Sequence, residues 1–273
     1  MMLQMLLFFM VAQCSCLVPV GPCLGLHSSA NCGLARSAPP RFVESYYDKR
    51  MRDERLRQAA LEAPDAGSTT GSGTAATLQQ AAIKITEQLS AKQDSARMYA
   101  LKRRLMQLCN EVERGAKVNL RQQEEIEEMV KELEGMSPIK SPLQAPEING
   151  RWQLIYTTSA SILGIGRLFR PFGPIYQTIS VPDLSAENGG VIKWGPIRFS
   201  RWVKASLEPI VGSESEVMVR FKRFRIGFLR IPAPKSAMSE LDTTYLDSNL
   251  RISRGGKGNI MILLKDDLPV YGV

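Results

Sequence analysis

Residues 149–159 read NGRWQLIYTTS, and their polarity alternates with a period of two. Trp152, Leu154 and Tyr156 fall on one parity, the pattern of a β-strand with two different faces. The same alternation recurs downstream between glycine-rich turns and predicts eight further strands. We place the nine strands at residues 151–158, 175–181, 190–195, 201–208, 216–224, 226–231, 241–246, 249–254 and 259–265.

Short strands of this kind favour a closed antiparallel barrel. We therefore expect a mostly β fold, an antiparallel β-barrel of eight or nine strands over residues 149–268, preceded by N-terminal α-helices. A barrel of about eight strands has an interior just wide enough for one small ligand. Strand parity and aromatic character make Trp152, Tyr156, Phe221 and Tyr245 the candidate ligand-binding wall residues.

The first and last strands carry residues that could close one barrel end. Gly150 and Trp152 open the first strand, and Arg251 and Arg254 lie near the last ones. In lipocalins, which this arrangement resembles, a Gly-x-Trp on the first strand packs its indole against an arginine of the final strands through a cation–π contact. We favour barrel closure over ligand binding for these residues. We expect Asp247 to accept hydrogen bonds from backbone amides of its turn and to be an ion-pair partner of Arg251 or Arg254.

The connection between the first two strands, residues 161–174, is too apolar for a simple solvated loop. In a lipocalin-like barrel it would lie over the open mouth. It could be a portal or membrane-touching lid, or it could fold over and cap the core, and the sequence leaves both open. Its apolar candidates are Ile162, Leu163, Leu168, Phe169 and Phe172.

Helical periodicity precedes the barrel, over residues 78–136. Leucines and valine at 101, 105, 108 and 112 form one stripe, and Ile126, Met129, Val130 and Leu133 form a second. Asn119, with Gln122 three residues later, predicts a capping box at the start of the second helix. Residues 44–77 form a charged segment and a flexible linker of small and polar residues.

Residues 1–43 have the character of a targeting presequence. An apolar run over residues 2–12 suits a signal peptide, and the first acidic residue of the chain is Glu44. An acid-free stretch with Ser and Arg is typical of a transit peptide, so the pair predicts a bipartite signal leading to a secondary plastid. Secretion is the alternative. Residues 44–273 contain no histidine and one cysteine, Cys109, which excludes Ser-His-Asp catalysis, His or Cys zinc sites and an internal disulfide there.

Positive charge concentrates in the barrel. Residues 151–235 hold 13 Lys and Arg against 5 Asp and Glu, a net +8. A basic face beside apolar loops suits an anionic lipid surface. Because no RNA- or DNA-binding motif accompanies it, we expect no nucleic-acid partner, and we find no catalytic residues, metal site or cofactor motif.

Two motifs resemble one family in particular. The stretch 149–159 and the closing runs 240–247, ELDTTYLD, and 250–255, LRISRG, are similar to the end motifs of the plastid lipid-associated proteins, or fibrillin (plastoglobulin) family. The resemblance implies a lipocalin-like barrel that binds prenylquinones, carotenoids or acyl lipids at plastoglobule or thylakoid surfaces. It implies no enzymatic activity. The alternative is a scaffold for a prenylquinone or lipid biosynthetic enzyme.

Overall fold

The computed structural model describes residues 75–164 and 170–266, so the predictions for residues 1–43 and for most of residues 44–77 lie outside it. Within this part of the chain, Ala75–Glu111 form one compact unit and the later residues another. The first unit is a single helix, α1 (Ala75–Glu111), which begins slightly before the predicted start. No helix among the described residues is long and apolar enough to cross a membrane.

The second unit begins with a tight turn and the second helix, α2 (Leu120–Gly135). The predicted capping box is confirmed: the Asn119 side chain accepts from the Gln122 backbone, and the Gln122 side chain accepts from the Asn119 backbone. The predicted apolar stripe of α2 is buried. Gly115, in the preceding turn, has φ +99°, and a Cβ there would lie 2.4 Å from the Thr157 carbonyl oxygen, so only glycine fits.

Nine antiparallel strands follow, as predicted. A short helix, α3 (Ala160–Leu163), lies between the first two. The strands are β1 (Gly150–Thr157), β2 (Arg170–Ser180), β3 (Ser185–Trp194), β4 (Ile197–Pro209), β5 (Glu216–Ile226), β6 (Leu229–Pro232), β7 (Met238–Leu246), β8 (Leu250–Gly255) and β9 (Ile260–Asp266).

Eight of these strands close into a barrel, which confirms the lipocalin-like fold class. The sheet order is β4-β3-β2-β1-β9-β8-β7-β5-β6, and an additional β4–β5 pairing joins its two sides. The ninth strand, β6, pairs with residues 223–226 of β5 and stands outside the ring. Within the closed ring each strand is paired on both sides, which removes most of the open edge at which sheets aggregate.

The two ends of the barrel differ. At the end where β1 begins, apolar residues of the preceding segment pack against the core cluster that contains Trp152 and Leu154; we call this the plugged end. The plugging residues are Ile139, Leu143, Ala145 and Ile148.

The opposite end is formed mainly by the long strands β2 to β6, and we call it the open end. The β1–β2 ladder covers only residues 150–153 and 176–179, so the rest of β2 pairs with β3 alone. The β5–β7 ladder likewise stops at Arg220, beyond which β6 takes the place of β7. The long strands therefore extend past the closed ring.

Candidate binding site

The strand register defines which side chains face the barrel interior. Trp152 lies opposite Gln177, Gln177 opposite Asn188, Asn188 opposite Val203, and Val203 opposite Phe224. Directly paired residues share a face of the sheet, and Trp152 and Val203 belong to core clusters. This row of residues therefore crosses the interior from β1 to β5.

Trp152 is held on this face by three contacts. Its indole nitrogen donates to the Ile148 carbonyl at 2.9 Å. The Arg251 guanidinium carbon lies 5.0 Å from the ring centroid, and the Lys265 ammonium lies 4.5 Å from it. The structure thus brings Trp152 together with Arg251 at the plugged end. Gly150, with φ +110°, lies beside the Lys265 side chain.

Arg251 is completely buried on the inward face of β8, opposite Leu263. Its Nη2 donates to Oε1 of Gln177, whose Nε2 in turn donates to Asn188 Oδ1 at 3.0 Å. Its Nε and Nη1 have no hydrogen-bond partner in the described part of the chain. Because burial removes water from the cation, the pKa of Arg251 falls to about 9.

Arg254 lies on the outer face of the barrel, not beside Trp152 as we expected. Its Nε donates to Glu134 Oε1 at 2.7 Å, and its Nη2 donates to Glu134 Oε2 and Glu127 Oε1, each at 3.0 Å. Since β8 alternates, Arg254 and Arg251 must point to opposite faces. Arg254 therefore fastens α2 to the outside of the barrel, and these hydrogen bonds raise its pKa.

Asp247 accepts hydrogen bonds from backbone amides of a turn, as expected, and forms no ion pair with Arg251 or Arg254 in the described part of the chain. Its Oδ1 accepts from the backbone nitrogens of Asn249 and Leu250, each at 2.7 Å, and its Oδ2 accepts from the Tyr245 hydroxyl. This pattern shapes the β7–β8 turn.

Tyr156 and Tyr245 do not line the interior. A β-bulge between Leu154 and Tyr156 puts Tyr156 opposite Ile262, and a second bulge before Tyr245 puts that residue opposite Ile252. Each bulge adds one residue to a strand and so reverses the parity beyond it. Both tyrosines are fully buried on the outer face, the face on which Arg254 contacts α2.

Phe221 does face inward, and a bulge is again the reason. The β4–β5 ladder skips Lys222, so Phe221 and Phe224 share the inner face although they are three residues apart. Their rings stack with centroids 6.1 Å apart. Phe221, Gln177 and Asn188 remain partly accessible to solvent despite facing inward. The middle of the barrel is therefore not completely filled by side chains.

The predicted loop at residues 161–174 divides into parts with different surroundings. Ile162 packs against the cluster of Trp152 and Leu154, and Leu163 is buried. Leu168 and Phe169 lie outside the described residues. Phe172 belongs to β2 instead of a loop; it is partly exposed, with the Arg198 guanidinium 4.2 Å from its ring centroid.

The open end presents apolar tips surrounded by cations, which the sequence did not single out. Phe228, in the β5–β6 turn, is 96% exposed, and Ile197, at the β3–β4 turn, is 49% exposed. The register places both turns at this end, since Gly227 donates its backbone N–H to Ser200 and Arg198 pairs with Lys193. The exposed cations nearest these tips are Lys193, Arg198 and Arg230. In the sequence, Ile197 and Phe228 could have been recognised because each lies at a turn next to a strand rich in Lys and Arg.

Comparison with known proteins identifies one family, the plastid lipid-associated proteins. The PAP_fibrillin family model matches residues 99–264. Probable plastid-lipid-associated protein 5 of Arabidopsis thaliana is 37% identical over 177 residues, which cover 63% of this chain and 72% of the relative. Plastoglobulin-1 of Pisum sativum is 27% identical, covering 61% of each chain. A chromoplast-specific carotenoid-associated protein of Cucumis sativus is 26% identical, covering 63% of this chain and 70% of the relative. No solved structure matches the chain.

Proposed function

Because the chain belongs to the PAP_fibrillin family, we propose that it is a non-enzymatic lipid-associated protein of plastids. It holds one prenylquinone, carotenoid or acyl lipid in its barrel and docks on plastoglobule or thylakoid surfaces. The similar proteins are named as chloroplastic or chromoplastic. The presequence pattern of residues 1–43 supports delivery to a secondary plastid through a signal peptide.

The observation that carries the proposal is the difference between the two barrel ends. One end is plugged by apolar packing, while inward residues nearer the middle, such as Asn188 and Phe221, remain partly accessible. A lipid that enters from the open end would bury its apolar surface, which is worth roughly 25 cal/mol per Å². The exposed tips Ile197 and Phe228, with cations beside them, suit contact with an anionic lipid surface.

The test of lipid binding is native extraction. The full chain is incubated with total plastid lipid and repurified, and bound lipid is identified by mass spectrometry. Val219→Trp projects a large ring into the interior, whereas Met218→Trp projects the same ring from the outer face of the same strand. We expect one lipid per barrel in the wild type and in Met218→Trp, and much less in Val219→Trp. A folded wild-type barrel that emerges empty would refute the proposal.

One observation favours a second function, the docking of a lipid-biosynthetic enzyme. Helix α1 exposes three large apolar side chains in its first half, Ile83, Ile85 and Leu89. A partner enzyme could cover these side chains. Co-purification of such an enzyme that is lost in Leu89→Glu, while the barrel retains its lipid, would support docking; unchanged co-purification would exclude this surface.

A further inference from the structure

The buried guanidinium of Arg251 has hydrogen-bond donors without acceptors in the described part of the chain. It is completely buried, yet within residues 75–164 and 170–266 only Nη2 has a hydrogen-bond acceptor, the side chain of Gln177. Nε and Nη1 have none there. Buried charged groups are normally paired and hydrogen-bonded, because an unsatisfied donor loses its interaction with water and gains nothing in return.

The charge of Arg251 is also uncompensated. No carboxylate in the described residues forms an ion pair with it; the ion pairs of β8 belong to Arg254, on the other face. The inward positions of the eight ring strands carry Arg201, Arg251 and Lys265 but no Asp or Glu. The inward positions of these strands therefore supply no carboxylate to Arg251. The lowered pKa of Arg251 agrees with this lack of an anion.

The contact with Trp152 does not satisfy the hydrogen-bond donors of Arg251. Its indole covers one face of the guanidinium at 5.0 Å. A π face attracts the cation but accepts no in-plane hydrogen bond from Nε or Nη1. A carboxylate has the matching chemistry, since its two oxygens can accept two parallel N–H groups of one guanidinium, either Nη1 with Nη2 or Nε with Nη2. Nη2 carries two hydrogens, so it can donate to Gln177 and to a carboxylate at the same time.

We propose that Arg251 binds the carboxylate of a single-chain acidic lipid, with Gln177 holding the guanidinium in place and the acyl chain running toward the open end. This inference rests on the proposed function, because it names the class of lipid that the barrel takes. From Gln177 to the start of β2 at Arg170, the strand is about 20 Å long at ~3.3 Å per residue, enough for a long acyl chain. The aromatic pair Phe221 and Phe224 lies on the inner face along this path.

The test compares two probes that differ only in the head group. cis-Parinaric acid and its methyl ester are titrated into the full chain, above the pH at which the acid ionises, and binding is followed by probe fluorescence. We expect the acid to bind at least about tenfold more tightly than the ester, since hydrogen bonds between charged groups are the stronger kind. Equal binding of acid and ester would overturn the proposal.

Three variants test whether the preference for the acid over the ester depends on Arg251. Arg251→Met should abolish the preference for the acid while the ester still binds, and Arg251→Lys should restore part of it. Arg254→Met, the same change on the outer face of the same strand, should leave the preference intact. A folded Arg251→Met protein that still prefers the acid would refute the assignment.

Further measurements distinguish a failure of carboxylate binding by Arg251 from a failure of lipid binding by the barrel. If Arg251→Met does not fold, displacement of the bound ester by palmitate and by hexadecanol, measured on the wild type, decides the question: palmitate must be much the stronger competitor. If the wild type takes up the ester or a carotene but not the acid, the inference fails and the proposed function stands. If it takes up no lipid, both fail.

Discussion

Replacing Phe228 by Ser should weaken attachment to lipid surfaces without affecting the fold. Phe228 stands at the β5–β6 turn with 96% of its surface exposed, so its removal disturbs almost no packing. Complete burial of a Phe side chain is worth about 1.5–3 kcal/mol. At about 2 kcal/mol, and with 1.4 kcal/mol for each factor of ten, the variant should bind roughly 30-fold more weakly.

The same surface should also respond to charge. Lys193 and Arg230 are exposed next to the two apolar tips, and a cation close to an anionic membrane contributes about 1 kcal/mol. Changing both to Gln should weaken binding to vesicles that contain phosphatidylglycerol by roughly a further 30-fold at low salt. Binding to phosphatidylcholine vesicles should change little, because those carry no net charge.

The assay is vesicle flotation with the full chain over a series of lipid concentrations. Val211→Ser is the matched control: Val211 is also fully exposed in a turn, but at the plugged end, in the β4–β5 connection. If Phe228→Ser floats as well as the wild type, or if Val211→Ser loses as much binding, the open end is not the docking surface.

Three further predictions concern stability and reactivity. Arg254→Met should lower the free energy of unfolding by about 2 kcal/mol, because it leaves Glu134 half-buried without its cation; a urea-denaturation cycle with Glu134→Gln that shows no coupling would contradict this. Gly189→Ala should cost about 1–3 kcal/mol, since the new Cβ would lie 2.4 Å from the Trp202 ring, and an unchanged melting temperature would argue against it. Cys109 is buried with a raised pKa, so iodoacetamide at mildly alkaline pH should modify it only after unfolding, as mapped by peptide mass spectrometry; modification in the native state would show that the thiol is accessible.

Local patterns were sufficient to predict the two long helices and the strands, but not the short helix α3. Alternation located all nine strands, and the Asn119 capping box and the stripe of α2 follow from spacing within a few residues. Strand ends were less predictable: β2 begins at Arg170, five residues before the predicted start. Those added residues pair only with β3, so their strand character depends on a neighbouring strand.

The faces of the strands could not be predicted from parity alone. The bulges before Tyr156 and Tyr245 reverse which side each residue faces, and the bulge at Lys222 keeps Phe221 beside Phe224. Bulges are set by the pairing of distant strands and carry no distinct mark in a single sequence. The partner of Arg254 is likewise hidden, because Glu134 lies 120 residues earlier in the chain.

The alternation of β8 also gives its two arginines different roles. On the outer face, beside Tyr156 and Tyr245, Arg254 donates hydrogen bonds to two acids of α2. The inner face carries Arg251, which in the described part of the chain has neither an acid nor acceptors for two of its nitrogens. Stacking on Trp152 is enough to close the barrel, but it leaves the in-plane donors of the guanidinium unsatisfied. The unsatisfied donors are what distinguish an interior prepared for an anion from a core that is merely packed.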